Sequence, residues 1–570
     1  MTSTHSTEQT PLLTQPEHAP TADIFSAPSY NVSNESPTVQ QQHSGLFKTS
    51  DEEETLAIPS TSPTPSPPIF VGRIVSVLLI GTFIANADSS LLIATHPIIA
   101  SEFNALRDSS WLLTSFALAQ AATLPLYGKL SDIFGRKTML ILAYGLFALG
   151  CGLVGIGTSM STLIVGRVIS GAGASGMTTL VSILITDLVS LRDVATWRSY
   201  VNVVATTGRS IGGPVGGWLS DTVGWRWSFL GQVPLAILAI VLVGTIVPAR
   251  SQHDTTETSQ KSKLARVDFI GALMLTMTIL GLLFPLEIGG DRVTWTSPTI
   301  GLLLAGAVCF GGLFIATEGW LANEPIVPLS LLQNRNVVVS ALVMVLQGAA
   351  QIGLMFAIPL YFQITASASN TVAGAHLVPA VVGNAIGGII SGAIIKRTGR
   401  YKALILTATI VSSSAYLLLI LRWHGDTNWL ESLYIFPGGF GMGVVQSALF
   451  ISVQAGIDPT QTAVAASALY LASAIGALSG MAGVSAVLQS TLRLGLDRRL
   501  SNLGFTGHMK RKIIEHAVSD VHYVDKAKSN IAKAVIGSYI EALTWTHVLS
   551  LTCSVIAFTW SLFLRQHKLR

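Results

Sequence analysis

Fourteen apolar stretches follow one another from Phe70 almost to the end of this chain. They lie near 71–94, 110–130, 138–157, 161–185, 198–219, 227–247, 268–288, 299–317, 337–359, 372–395, 402–421, 431–453, 463–489 and 546–564. Each is close to the roughly 20 residues an α-helix needs to cross the hydrocarbon core of a bilayer. A helix satisfies its own backbone polar groups, which is the condition for spanning lipid. Composition agrees: of 570 residues half are hydrophobic and 11% charged, with mean hydropathy +0.56, against about 25% charge in a soluble domain. The lipid bilayer is the solvent, and the chain reads as an all-α polytopic membrane protein with 14 transmembrane helices.

Lys and Arg set the orientation. With the loop after the second stretch placed in the cytosol, cytosolic loops hold Lys129, Arg136, Lys137, Arg192, Arg198, Arg250, Lys261, Lys263, Arg266, Arg335, Lys396, Arg397, Arg400, Lys402, Arg565, Lys568 and Arg570. The short loops on the other side hold only Arg107, Arg226, Arg292 and Arg422. Both termini are then cytosolic. Residues 490–545 form a long outside or lumenal loop with charges of both signs, and amphipathic helices are expected near 509–524 and 531–543.

The loop between the second and third stretches reads Gly128-Lys129-Leu130-Ser131-Asp132-Ile133-Phe134-Gly135-Arg136-Lys137. It is too charged for lipid and too short for a domain, so it reads as a rigid turn. Gly128 and Gly135 allow close approach and unusual φ, and Asp132 can pair with a cation or cap a helix. The spacing returns in Gly392-Ala393-Ile394-Ile395-Lys396-Arg397-Thr398-Gly399-Arg400-Tyr401-Lys402, with Lys396 where the first copy has Asp132. This offset pairs helices 2 and 3 with helices 10 and 11. The expected organisation is a disordered cytosolic tail (1–68), a six-helix half (69–248), two inserted helices with their loops (249–336), a second six-helix half (337–564) and a cytosolic tail (565–570).

The pattern G-x-L-x-D-x-x-G-R-K resembles the signature loop of the major facilitator superfamily of transporters. That resemblance implies the major facilitator fold, with substrate bound near the midplane between two parallel halves. Gly208-Arg209-Ser210-Ile211-Gly212-Gly213-Pro214-Val215-Gly216-Gly217 resembles the G-x-x-x-G-P-x-x-G-G motif of its antiporters. Asn86-Ala87-Asp88-Ser89-Ser90 resembles the L-D-x-T motif of fourteen-spanner drug:proton antiporters. Leu163 to Gly173, around Gly166-Arg167, resembles l-x-x-G-R-x-x-x-G-x-G. Ionisable residues inside spans are costly and mark function. Asp88 and Arg167 are therefore the candidates for proton and substrate coupling: Arg167 stays charged and can favour the ionised form of an acid until that acid protonates. Their pairing rests on the resemblance. Arg209 is an unusual charge inside the antiporter motif: it can pair with an acid or snorkel from one helix end, and its repulsion of cations counts somewhat against a cationic substrate. Asp187, Arg192, Asp193 and Arg198 read as a cytosolic gate or a solvated face, and Trp225-Arg226-Trp227 as an interfacial anchor. His96, Gln347, Gln351, His376, Asn384 and Gln446 can line a cavity or link helices.

Cys151, Cys309 and Cys553 each sit in an apolar run, with no metal-ligand spacing. There is no phosphate-binding lysine loop, zinc pattern or catalytic triad. The chain is expected to be no enzyme, to need no cofactor or metal and to bind no nucleic acid; an ion gradient is the expected energy source. In the tail, Glu8-Gln9-Thr10-Pro11-Leu12-Leu13 is similar to an acidic dileucine sorting signal read by adaptor complexes, so Glu8, Leu12 and Leu13 imply an adaptor as partner. The tail also carries glycosylation sequons at Asn31 and Asn34 and lacks the pattern of a signal peptide.

Residues Ala94 to Asn104, Asp108 to Leu112 and Thr186 to Asp193 are similar to fungal vacuolar amino acid transporters of the superfamily. This implies a proton-coupled transporter that moves lysine, arginine and histidine across the vacuolar membrane; separately, a monomer is expected. A plasma-membrane exporter of drugs or fungal metabolites and a non-transporting nutrient sensor are the alternatives.

Overall fold

Each apolar run becomes helix. The structure, a computed structural model, describes residues 68–103, 105, 109–248, 266–289, 293–322, 324–519 and 523–569. The sorting signal Glu8, Leu12 and Leu13, the sequons and the loop cations Arg107, Arg250, Lys261, Lys263 and Arg292 lie outside these residues. Among the described residues fourteen helices have 15 or more residues. They are α1 (Pro68–Glu102), α2 (Ser109–Phe134), α3 (Arg136–Ile156), α4 (Met160–Leu188), α5 (Leu191–Thr222), α6 (Gln232–Ile246), α7 (Phe269–Ile288), α8 (Pro298–Trp320), α9 (Arg335–Ala366), α10 (Val378–Thr398), α11 (Lys402–Arg422), α12 (Phe436–Gln454), α13 (Thr462–Asn502) and α14 (Ser529–Ser561).

Among the described residues twelve segments are long and apolar enough to cross a membrane. The other two long helices are α2 and α5, which are richer in polar residues. Both nevertheless pack lengthwise inside the bundle, α2 along α4 and α5 along α1, and fourteen spans are consistent with this arrangement. Helices α1–α6 pack mainly with one another, and so do α9–α14, giving two groups of six that correspond to the expected halves. The halves meet along two seams, α2 with α13 and α5 with α10. The inserted pair α7–α8 covers the first seam. Leu275, Ile279 and Leu283 of α7 pack with Leu118 and Ala121 of α2 and with Leu471 and Ile475 of α13.

Small residues set how closely these helices approach. On α4, Gly166 and Gly173 face α3, where an added Cβ at Gly173 would lie 2.5 Å from Phe147 N, and Gly171 faces α2 at Phe116. On α5, Gly208, Gly212 and Gly216 lie against the backbone of Phe83, Ala87 and Leu91 of α1. Gly217, in the same motif, has nothing within 4 Å of its Cβ position. This separates two otherwise equal glycines. Gly212→Ala places a methyl 2.3 Å from Ala87 O and is expected to cost about 1–3 kcal/mol as overpacking. Gly217→Ala, with only helix propensity changed, is expected to be neutral or stabilising by up to about 1 kcal/mol. Thermal unfolding of the two purified variants measures the contrast; equal midpoints would remove the packing role of Gly212.

Residues 490–545 are mostly helix rather than loop. α13 runs on to Asn502, a short helix spans Gly507–Ser519, and α14 begins at Ser529. Leu492, Leu496 and Leu500 recur every four residues on one face of α13 and pack with Val535, Tyr539 and Leu543 of α14. Arg499 Nη2 pairs with Glu541 Oε2 at 3.0 Å, and Tyr539 OH donates to Ala517 O at 2.7 Å. The charges on the outer face of these extensions break the long apolar run that a spanner shows, so the helix continues where the hydropathy signal stops.

Candidate functional site

Asp88 on α1 and Arg167 on α4 meet inside the first half. Arg167 Nη1 lies 2.7 Å from Asp88 Oδ2, and both side chains have 0% exposure. Gln232, at the start of α6, donates through Nε2 to Asp88 Oδ1 at 3.1 Å and to Ser228 O at 2.9 Å. Arg167 Nε donates to Leu112 O of α2 at 3.2 Å, and its guanidinium carbon stands 4.2 Å from the centre of the Phe116 ring. Four helices thus converge on one ion pair. Arg167 Nη2 and Gln232 Oε1 are buried without a hydrogen bond, so the network holds both charges and leaves one donor and one acceptor open. Gln232 escapes a reading of the sequence; its only signal is an amide at the head of an apolar run.

The signature loop lies at one end of the bundle. Gly135 has φ 91° at the start of α3, a conformation that side chains rarely adopt. Arg136 is the centre of the turn: Nη1 reaches Asp132 Oδ1 at 2.6 Å and Nε reaches Asp187 Oδ2 of α4 at 3.0 Å. Lys137 Nζ donates to Gly244 O of α6 at 2.6 Å. Gly128 faces the other half, its Cβ position 2.6 Å from Ser467 Oγ of α13.

The second copy repeats this arrangement. Gly399 has φ 66°, and Gly392 faces the opposite half, its Cβ position 2.8 Å from Ala195 O of α5. The exchanged residue finds a partner across the seam, where Lys396 Nζ stands 2.8 Å from Asp193 Oδ1. Burial works against the ionised Asp193 carboxyl, but the hydrogen bonds from Lys396 and Ser190 outweigh it and hold the group below the usual carboxylate range. The Arg136 cluster therefore ties the first half together, and Lys396 ties the two halves to each other.

Further inter-half contacts lie beside this ion pair. Ser199 Oγ of α5 donates to Gly388 O of α10 at 2.5 Å. Asn202 Nδ2 and Thr206 Oγ1 both donate to Asn384 Oδ1, at 2.7 and 3.3 Å. Arg198 Nη1 donates across the seam to Tyr470 OH of α13 at 3.1 Å and, within its own half, to Ser182 Oγ of α4 at 2.6 Å. Its guanidinium carbon lies 3.7 Å from the Phe450 ring centre on α12. Among the described residues these polar links between the halves run from the signature-loop end to the level of Asn384. The bundle is closed at that end.

In the antiporter motif Gly208, Gly212 and Gly216 make the α1–α5 contact, and Gly213 N donates to Ser90 Oγ at 3.0 Å. Pro214 lies within α5. Arg209 Nε donates to Asn86 Oδ1 at 2.9 Å. Trp225 is not an interfacial anchor: it is buried with Leu91, Leu92 and Phe229, and its indole N–H donates to Glu102 Oε2 at 2.6 Å. Arg226 Nη1 binds the other oxygen at 2.7 Å. The hydrogen bonds from Trp225 and Arg226 hold the Glu102 carboxyl below its usual range. The exposed aromatic of this turn is Trp227. In the second half Gln347 bonds Ser554, and His376 bonds Ser432 while stacking on Phe362; both link helices.

The family model for the Major Facilitator Superfamily matches residues 78–481. The chain belongs to this superfamily. Solved structures agree on the fold: the proton:xylose symporter XylE superposes with TM-score 0.53 at 15% identity, over 86% of this chain and 95% of that one. The "Vacuolar membrane amino acid uptake transporter fnx2" of Schizosaccharomyces pombe is 28% identical over 541 residues, covering 94% of this chain and 91% of the relative. The "Multidrug resistance protein fnx1" of the same organism is 31% identical, covering 86% and 92%. The "Vacuolar basic amino acid transporter 2" of Saccharomyces cerevisiae is 27% identical, covering 79% and 96%. The chain is a multi-pass membrane transporter and not an enzyme.

Proposed function

We propose that this superfamily member is a proton-coupled transporter that moves basic amino acids (lysine, arginine and histidine) from the cytosol across the vacuolar membrane by alternating access. The observation that carries the proton coupling is the fully buried Asp88–Arg167 pair. Arg167 keeps its charge at any physiological pH. A proton on Asp88 would cancel the attraction and leave Arg167 in search of another partner. That makes the pair a two-state element that a proton gradient can drive. The substrate class and the membrane are supported by the relatives named for vacuolar amino acid transport.

The loop cations support a cytosolic signature-loop end and cytosolic termini. In that orientation the closed end faces the cytosol, and the cleft between the halves faces the lumen. Gly128, Asp132, Gly135, Arg136 and Lys137 would then form the cytosolic hinge. Glu8, Leu12 and Leu13 would address the protein to the vacuole through a sorting adaptor, and the protein would work as a monomer.

Vacuolar vesicles carrying the protein, acidified and loaded with a pH-sensitive dye, test the reading. Lysine added outside is expected to collapse the pH gradient, and vesicles lacking the protein are expected not to respond. A gradient unmoved by lysine, arginine and histidine sinks the substrate class. The relative named for multidrug resistance favours a second reading, an exporter of drugs or fungal metabolites at the plasma membrane. A tagged protein at the cell surface, unmoved by Leu12→Ala with Leu13→Ala, would favour it.

A further inference from the structure

The cleft between the halves contains a cation that no acid among the described residues neutralises. Arg209 lies near the middle of α5, seven residues after Asn202 and three after Thr206. This spacing puts it on the helix stripe whose earlier members reach Asn384 on α10. Its side chain is exposed, and at 100° per residue it points away from Tyr200, Ile211 and Trp218, the exposed apolar residues on the outer face of α5. The solvent it meets is therefore the water of an internal cleft and not the lipid outside.

Asn86 holds it there. The Asn86 amide donates through Nδ2 to Thr82 O at 2.7 Å, which turns Oδ1 to accept from Arg209 Nε at 2.9 Å. Asn86 spends one edge of the guanidinium and leaves the Nη edge without a hydrogen bond to any described residue. The buried acid two residues on, Asp88, is already taken by Arg167 and Gln232. Asn384, which closes the cleft below, is neutral and accepts from Asn202 and Thr206. A permanent charge in a spanning helix is expensive unless it faces water or meets an anion. Here a planar pair of donors is fixed in position and lacks an anion among the described residues.

We infer that Arg209 binds the carboxylate of the transported molecule, and that the substrate class is defined by an α-amino acid carboxylate rather than by a cationic side chain alone. This rests on the amino acid reading above and deepens it. A guanidinium fork matches a carboxylate with two parallel hydrogen bonds. The same charge repels an organic cation that carries no carboxylate. A basic amino acid then satisfies both ends of the site, with its carboxylate on Arg209 and its ammonium kept away from it. Asn86 acts as the positioning residue.

Thermal unfolding of the purified full-length protein with lysine, lysinamide and cadaverine is the test. The three share the side-chain ammonium, and only lysine has the carboxylate. Lysine is expected to raise the unfolding midpoint of the wild type, and lysinamide and cadaverine to leave it in place. Arg209→Gln is expected to weaken the lysine response at least about tenfold. Arg209→Lys, which keeps the charge without the fork, should retain part of it. Lysinamide stabilising the wild type as well as lysine does, or Arg209→Gln keeping the full lysine response, overturns the inference; the wild-type comparison holds even if the variant folds poorly. If leucine and glutamine stabilise through Arg209 while lysine does not, the carboxylate site stands and the basic-amino-acid reading falls. If no α-amino acid shifts the wild type, the carboxylate site falls with it.

Discussion

Asp88→Asn is expected to abolish proton-driven transport and to destabilise the protein by about 3–5 kcal/mol, the usual cost of leaving one member of a buried ion pair without its partner. The motif alone suggests a variant that folds normally and merely fails to couple. The geometry predicts more. Asp88 and Arg167 are 2.7 Å apart with no exposure on either side, and one Nη of Arg167 is already without a hydrogen bond. The substituted amide could still offer an oxygen, but the full charge of Arg167 would remain in a site that water does not reach. Asp88→Asn combined with Arg167→Gln removes both charges, so the double variant is expected to recover most of the lost stability and none of the transport. Unfolding midpoints of the two variants, with lysine-induced loss of the pH gradient, separate the structural contribution from the coupling contribution. Undiminished flux in Asp88→Asn would end the assignment of this pair to coupling.

Arg198→Ala is expected to open the end of the bundle that this structure shows closed. Two ties between the halves compete for that role, and magnitudes decide between them. The Lys396–Asp193 pair is largely exposed, with 57% and 37% of the side chains accessible, and such surface pairs contribute about 0–1 kcal/mol. Arg198 joins α5 to the second half through one hydrogen bond to Tyr470 and a close contact with the Phe450 ring, and its bond to Ser182 stays within the first half. A charged hydrogen bond is worth about 1.5–3 kcal/mol and a cation–π contact about 0.5–2 kcal/mol. A net loss of about 2–3 kcal/mol corresponds to a shift of roughly 30- to 150-fold in the population of the open state, since about 1.4 kcal/mol is tenfold.

The measurement uses a cysteine at Ala205, on the same stripe of α5 as Arg198 and Asn202 but without a hydrogen-bonding side chain, in a background where Cys151, Cys309 and Cys553, all free, have been replaced. A membrane-impermeant maleimide applied from the signature-loop side should label it slowly in the parent and much faster after Arg198→Ala. Lys396→Gln should change the rate only a few-fold. Equal labelling in the parent and the Arg198 variant would show that the closure does not depend on this side chain.

The parts of the fold that are legible in the chain share one cause. Lipid accepts only segments that satisfy their own backbone, so a run of about 20 apolar residues reports a span directly. The positions of α1 to α12, the more polar α2 and α5 least clearly, therefore follow from hydropathy, and the repeated loop follows from Gly128, Gly135, Gly392 and Gly399. The same logic fails beyond residue 490. Leucines every fourth residue hold α13 and α14 together there, outside the reach of a rule built on continuous apolarity. Trp225 misleads for a related reason: an aromatic next to an arginine looks interfacial until Glu102 is seen to accept from its indole.

The candidate site divides along the same line. Motif spacing names Asp88, Arg167 and the α5 glycines, because each is a local pattern on one helix. No local pattern says that Asp88 reaches Arg167 79 residues away and Gln232 144 residues away. Nor does one say that Lys396 meets an acid of the other half, or that Arg209 turns into the cleft rather than toward lipid. Bilayer hydropathy and loop charge carry the spans, their order and the expected orientation, since both act on contiguous residues. Which charges meet, and which one stays unpaired, depends on how helices distant in the chain cross. Those crossings come from glycine-sized contacts such as Gly212 on Ala87, which have no periodic signature in the chain.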